Sequence, residues 1–240
     1  MPEPVRALET EKIAEGRYCI SDGITRCYLF VGAEKALLLD SGFGEFPIGE
    51  AVGAITDLPL LLLNSHSHAD HCMGNDQFPG AAVYIQKEGV GRVRGGTVTE
   101  VAEGDSFDLG GIRLEILETP GHTPDCITVA DPGLSALFTG DSVELFHGGV
   151  RLLDEQIASV KKLLALKDRY PVYYPSHGPV PCRMDEGVET LLECLEKLRD
   201  GELQGKPLHL RLPPDIDIHT FEYDYKNINL NYNPELGPWA

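Results

Sequence analysis

The sequence predicts an α/β protein, an αββα sandwich of two mixed β-sheets lying face to face with helices outside. Three observations predict it. Strand-length apolar runs bounded by turn residues recur through both halves of the chain. Two amphipathic stretches with helical spacing follow in the second half, and clusters of histidine and aspartate stand directly behind several of the apolar runs. In such an arrangement the polar clusters would meet at one edge of the sandwich.

Taken in order, the first forty residues read as a meander of strands near 17–20, 25–31 and 35–40, with Asp22-Gly23 and residues 32–34 as turns. A glycine-rich loop, 42–53, leads to a short helix near 48–55, and 60–63 is a buried strand of four leucines. Further strands are expected at 81–85, 98–101, 106–109 and 112–118, with a short helix at 87–92. Strands 126–130 and 136–139 open the second half. A helix is expected over 154–170, where Ile157, Val160, Leu163 and Leu164 recur at helical spacing before Pro171. A strand at 172–174 and a helix over 185–199, with Asp185 as its cap and Gly201 beyond its end, complete the sandwich. We read residues 1–240 as one domain, with 207–240 a β-rich extension whose last strand pair turns near Lys226-Asn227.

The 60–63 strand delivers Asn64-Ser65-His66-Ser67-His68-Ala69-Asp70-His71, three imidazoles and a carboxylate within six residues. On extended backbone His66 and His68 point to one side. Asp70 and His71 are neighbours and point differently, which suits a second metal position. Imidazole with carboxylate fits zinc, iron or manganese, and Cys72 is not spaced as a ligand. Three more candidates follow strand ends: His122 in Thr-Pro-Gly-His, Asp141 in Thr-Gly-Asp and His177 in Pro-Ser-His. One metal hypothesis thus accounts for five of the eight histidines.

Composition narrows the function. With 20 basic against 38 acidic residues the net charge is −18, which disfavours nucleic acid and anionic membrane surfaces as partners. Six cysteines show no CxxC pairing and suggest a reduced compartment. The first residues hold no apolar signal region, and the apolar runs are strand-length, so a cytoplasmic protein is expected. Neither a GxSxG elbow nor a Cys/His nucleophile pairing is present.

The HxHxDH run followed by His122, Asp141 and His177 resembles the metallo-β-lactamase fold superfamily of hydrolases over most of the chain. The resemblance implies that His66, His68 and His122 hold one metal, that Asp70, His71 and His177 hold a second, and that Asp141 bridges them. Asp40, at the end of Ala-Leu-Leu-Leu-Asp, matches a carboxylate that supports the metal loops without ligating; capping of its strand end is the competing reading. Two divalent ions, zinc first and iron or manganese as alternatives, would lie about 3.5–4 Å apart and share a hydroxide nucleophile. Asp70 is the catalytic candidate, holding that hydroxide and carrying a proton to the leaving group.

His71 and Asp141 match hydroxyacylglutathione hydrolases and lactonases better than classical zinc β-lactamases. The region after His177, however, lacks the multi-helix extension of glyoxalase-type thioesterases. A small ester, thioester or lactone is therefore the expected substrate. The alternatives are a persulfide dioxygenase-like enzyme with one iron on His66, His122 and Asp141, and a phosphodiesterase or β-lactamase of the same superfamily. His147 and Arg151, beyond Asp141, are candidate substrate contacts. The tyrosine-rich hairpin is expected to pack on the core or on a second copy in a homodimer. Tyr223, Tyr225 and Lys226 become substrate contacts if it leans over the pocket.

Overall fold

Side chains alternate across the strands of the first sheet, and that alternation builds the layers. The computed structural model describes residues 8–146, 148–212 and 216–239. Its first sheet runs in chain order: β1 (Glu9–Ala14), β2 (Arg17–Ser21), β3 (Arg26–Val31), β4 (Ala36–Leu39), β5 (Leu60–Leu63), β6 (Ala82–Gln86) and β7 (Val98–Val101). Tyr28, Phe30, Leu37, Leu39 and Leu63 face a buried layer that they share with Leu114, Ile116, Ile127, Val129 and Phe138 of the second sheet. Leu29, Leu38 and Leu62 face the other way and pack with Ile48 and Val52 of helix α1 (Ile48–Gly53). Each fully buried leucine contributes roughly 1.5–3 kcal/mol.

The second sheet takes β8 (Ser106–Asp108), β9 (Arg113–Glu118), β10 (Ile127–Asp131), β11 (Ala136–Gly140), β13 (Val172–Pro175) and β14 (Cys182–Arg183), ordered β14-β13-β11-β10-β9-β8. Ala130, Leu137 and Tyr173 line its outer face. Helices α3 (Leu153–Leu164) and α4 (Glu186–Arg199) cover that face through Val160, Leu163, Val188, Leu191 and Leu195. Helix, sheet, sheet, helix is the expected order of layers.

Strand direction creates the working edge. In the first sheet β4 lies parallel to β5, with Leu39 beside Leu63. In the second, β11 lies parallel to β13, with Gly140 beside Pro175. Parallel neighbours end at the same edge, so Asp40 and Asn64 emerge together, as do Asp141 and Ser176. The β9–β10 turn, which holds His122, opens at the same end because Glu118 pairs with Ile127. A hydrogen bond of 2.9 Å from the Ile127 N–H to the Ser65 carbonyl joins the two sheets there.

Several boundaries differ from the sequence expectation. The edge strand β1 was not expected, because Glu-Thr-Glu-Lys has no apolar face to announce it. The expected helix at 87–92 is a single 3-10 turn, Lys87–Gly89, and the long helix stops at Leu164, its remainder forming turns up to Tyr170. The terminal residues form β15 (Lys206–Leu212), β16 (Ile216–Tyr225) and β17 (Ile228–Tyr232), the last two being the expected pair. Lys226, at φ 53°, makes the expected turn. A third sheet results, because β17 pairs in parallel with the three-residue β12 (Gly148–Val150). Two glycines in three residues carry no strand pattern, so β12 was illegible. Among the described residues no helix is long and apolar enough to cross a membrane.

Candidate metal centre

Asn64 follows the end of β5, the chain bends at Ser65 and His66, and His68 is again extended at φ −67° and ψ 152°. One helical turn, α2 (Ala69–Cys72), then reverses the direction of the side chains. His66 and His68 therefore point together, while Asp70 and His71 open onto a different space. Two clusters of ligand atoms follow, each within 4.8 Å: His66, His68, His122 and Asp141 in one, Asp70, His71 and His177 in the other. Asp141 Oδ2 lies between them, 3.8 Å from His66 Nε2, 3.5 Å from His122 Nε2, 3.4 Å from His71 Nε2 and 3.6 Å from His177 Nε2.

Outer hydrogen bonds orient the rings. His71 Nδ1 lies 2.8 Å from Asp40 Oδ2, His122 Nδ1 lies 2.8 Å from the Gly149 carbonyl, and His177 Nδ1 lies 2.9 Å from the Ile24 carbonyl. Each acceptor takes the Nδ1 proton, which leaves Nε2 directed inward, free to bind a cation once any second proton is displaced. Ser65 Oγ gives its proton to Asp40 and accepts from His66 Nδ1 at 3.2 Å, so that ring is set the same way. His68 presents Nδ1 instead, 2.9 Å from His122 Nε2. The two nitrogens converge closely enough to serve as neighbouring ligands of one cation.

The approach of the two sheets needs one bare backbone position. Gly140, at φ 52°, ends β11 beside Ser65, and a Cβ there would stand 2.7 Å from Ser65 Oγ. The loop after it is pinned by Gln156 Nε2, which donates to the Ser142 carbonyl at 2.6 Å. The His122 loop is held at Gly121, whose carbonyl accepts the N–H groups of Arg151 and Leu152 at 2.9 Å.

The electrostatics of the two clusters diverge. Burial, reinforced by neighbouring imidazoles, pulls His66 well below the ordinary imidazole value and His68 down to about 3. Burial lowers His122 as well. In the second cluster burial pulls the same way, but the carboxylates outweigh it. Asp141, Asp70 and Asp40 hold His71 well above 6.5, and Asp141, Asp70 and Glu144 lift His177 to about 10. Burial opposes ionisation of Asp70 and Asp141, yet His71 and His177 keep both well below the usual carboxylate range.

The donor set fits a pair of divalent cations. His66 Nε2, His71 Nε2 and Asp141 Oδ1 are buried polar atoms without a hydrogen-bond partner among the described residues. Orphaned groups of this kind are costly unless a ligand or ion completes them. Nitrogen and carboxylate donors with no thiolate suit zinc, iron or manganese.

All seven expected ligand positions and Asp40 come together. Arg151 lies beside His122, since a Cβ on Gly149 would stand 3.1 Å from the His122 ring and 3.7 Å from Arg151 Nη1. His147 lies outside the described residues. The terminal hairpin packs against α4, the first of the two expectations for it. Tyr225 OH and Lys226 Nζ both donate to the Glu193 carboxylate of α4, and the Tyr223 ring lies over Gly205. Tyr225 and Lys226 are thereby engaged with α4, and Tyr225 packs against the helix-side core. Sequence reasoning passed over Glu144. Its carboxylate forms a third cluster with Asp141 and His177, within the same 4.8 Å. A lone acid in Val-Glu-Leu-Phe, three residues after Asp141, was the available signal. Burial, then the Asp141 carboxylate, push the Glu144 carboxyl well above its ordinary value. A small open cleft beside the cluster is lined by Glu144, Phe146, Tyr173, Pro175, His177 and Cys182, among others.

Comparison with known proteins adds to this geometry. The family model of the metallo-beta-lactamase superfamily matches residues 20–177. The hydroxyacylglutathione hydrolase of Gloeobacter violaceus is 31% identical over 150 residues, 57% of this chain and 59% of that protein. An atrochrysone carboxyl ACP thioesterase of Aspergillus fumigatus is 28% identical over 205 residues, 79% of this chain and 45% of that protein. The chain thus spans less than two thirds of the length of either relative. A solved metallo-beta-lactamase from Pontibacter korlensis matches with a TM-score of 0.67 at 25% identity, over 79% of this chain and 99% of that one.

Proposed function

Because the chain belongs to the metallo-beta-lactamase superfamily, we propose that it is a dinuclear metal-dependent hydrolase cleaving a small ester, thioester or lactone. The observation that carries this reading is the division of seven inward-facing donors into two clusters that share Asp141. His66, His68 and His122 would hold one cation, Asp70, His71 and His177 the other, with zinc as the first candidate for both. Bound there, two such cations supply a nucleophilic water at neutral pH and polarise the oxygen of the scissile group.

The chain's own groups do the rest. Asp70 Oδ2 lies 3.2 Å from His177 Nε2 and 3.5 Å from His71 Nε2, and the side chain is part-exposed. It is therefore positioned to accept a proton from the attacking water and return it to the leaving group at the mouth of the site. Asp40 and Ser65 keep His71 and His66 in one tautomer throughout. Arg151, beside His122, is a candidate to steady the substrate's carbonyl side.

Substrate class rests on charge, cleft and relatives. The excess of 38 acidic over 20 basic residues disfavours a polyphosphate or nucleic-acid substrate. The cleft at His177 is mostly apolar-lined, with Phe146 exposed at its mouth, which suits the carbon skeleton of an acyl or lactone substrate. Both relatives named above carry names that describe hydrolysis of an acyl conjugate. A mononuclear iron site on His66, His122 and Asp141 would leave His68 without a task, whereas its Nδ1 points at His122.

The test is metal analysis of protein purified without chelator, followed by thioesters, lactones, esters, phosphodiesters and cephalosporins offered to the reconstituted enzyme. Two metals per chain with turnover of a carbonyl substrate is the expected result. One iron per chain, with oxygen uptake on a persulfide, would replace this reading with the dioxygenase.

A further inference from the structure

We infer that Glu144 is an additional ligand of the second metal position, making it oxygen-rich and favouring manganese or iron(II) there over a second zinc. The inference rests on the dinuclear reading above and concerns the character of one of its two positions. Asp141, Glu144 and His177 offer ligand atoms within 4.8 Å of one another, a cluster that shares His177 with Asp70 and His71. His177 would then stand between two sets of donors, Asp70 and His71 on one side and Asp141 and Glu144 on the other, against three imidazoles and one carboxylate at the first position.

Two features point to a cation and not to a merely solvated acid. Glu144 is part-buried in an apolar stretch between Val143 and Leu145, and the Asp141 and Asp70 carboxylates are among its charged neighbours. A carboxyl crowded by other carboxylates in a partly desolvated site either keeps its proton or gives it up to a cation, and a cation here has Asp141 and His177 within reach to complete it. Independently, Asp141, 7% exposed, keeps its Oδ1 without a hydrogen-bond partner. Fold geometry explains how Glu144 arrives. Gly148 packs against the backbone and Cβ of Glu144, at 3.1 and 3.2 Å from the place its own Cβ would take, so the segment after Asp141 folds back toward the site as β12 begins. Carboxylate oxygens suit manganese, while imidazole suits zinc, so the two positions differ in the metal they prefer.

The experiment is competitive loading of metal-free protein with zinc and manganese. Bound metals are counted by elemental analysis, and free and bound manganese by electron paramagnetic resonance. Wild type is compared with Glu144→Gln, which keeps the volume, and Glu144→Asp, which keeps the charge. Circular dichroism of the metal-free proteins checks the fold. With one equivalent of zinc and manganese in large excess, wild type is expected to hold one of each, and Glu144→Gln to lose manganese affinity by at least about tenfold with zinc at the first position unchanged. Glu144→Asp should recover part of the loss. Two bound metals with manganese affinity unchanged in Glu144→Gln would overturn the inference and leave the dinuclear reading standing. A wild type that takes up only one metal under saturation would overturn both.

Discussion

Asp40 accepts from His71 Nδ1 at 2.8 Å, and the same carboxylate takes the backbone N–H and the hydroxyl of Ser65, each at 2.7 Å. One strand-end residue in the left-handed region, at φ 63°, therefore fixes a ring in one metal cluster and, through Ser65, a ring in the other. It caps its strand and supports the ligands at once, so the two sequence readings of Asp40 are compatible.

Asp40→Ala should accordingly damage both stability and metal binding. It leaves buried donors of Ser65 and His71 without an acceptor, at roughly 1–3 kcal/mol for each orphan. Metal affinity should drop by about 10–100-fold, as for other partners of metal-bound histidines. Denaturant melts of the metal-free protein and metal titration measure the two effects separately. Unchanged metal affinity would show that Asp40 acts only as a cap.

Gly149→Ala tests the His122 anchor without removing a ligand. The added methyl would stand 3.1 Å from His122 Cε1 and Nδ1, close enough to push the ring by a few tenths of an ångström. We expect weaker metal binding at the first position and lower kcat, with only a modest fall in melting temperature. An intact kcat would mean that the ring has room to give.

Acid should strip the second position before the first. Protons compete with cations for imidazole nitrogen. His177, lifted to about 10, and His71, also raised, are protonated in the metal-free protein across neutral pH, whereas His68, at about 3, is not. Binding at the second position therefore releases up to about two protons and weakens as pH falls, while the first position stays nearly flat down to mildly acid pH. The metal-free protein follows the other sign for this group. Because its folded-state pKa is raised, the stabilisation from His177 is fully present below 6.5 and is lost as pH rises toward about 10. Metal counts after dialysis at stepped pH, with melts of the metal-free form, check both.

Tyr225→Phe and Lys226→Ala should leave KM and kcat within about twofold. Both side chains are bonded to Glu193 on α4, and an exposed, solvent-screened pair such as Lys226–Glu193 contributes little. A large rise in KM with unchanged melting temperature would return these residues to the substrate pocket.

Much of this architecture was legible because it is local. Four consecutive leucines before Asn64 announce a strand buried on both faces, and Ile157, Val160 and Leu163 announce a helix with one apolar side. What was missed lacks a local signature. The strand β12 is two glycines and a valine, and β1 is mostly polar; each exists because a neighbouring strand offers hydrogen bonds. The reach of Glu144 into the site was equally silent, because a single acid in an apolar stretch carries no periodicity.

The chain alone determined which side chains are chemically able to hold metal, and that His66 and His68 act together while Asp70 and His71 face elsewhere, since dihedral geometry over a few residues decides that. Tertiary structure alone decided which main-chain carbonyls set the rings, with Ile24 holding His177 and Gly149 holding His122, and that Tyr225 turns to Glu193. Those partners are separated by 153, 27 and 32 residues. Such pairs depend on strand order and register across two sheets, and no short stretch of sequence encodes that.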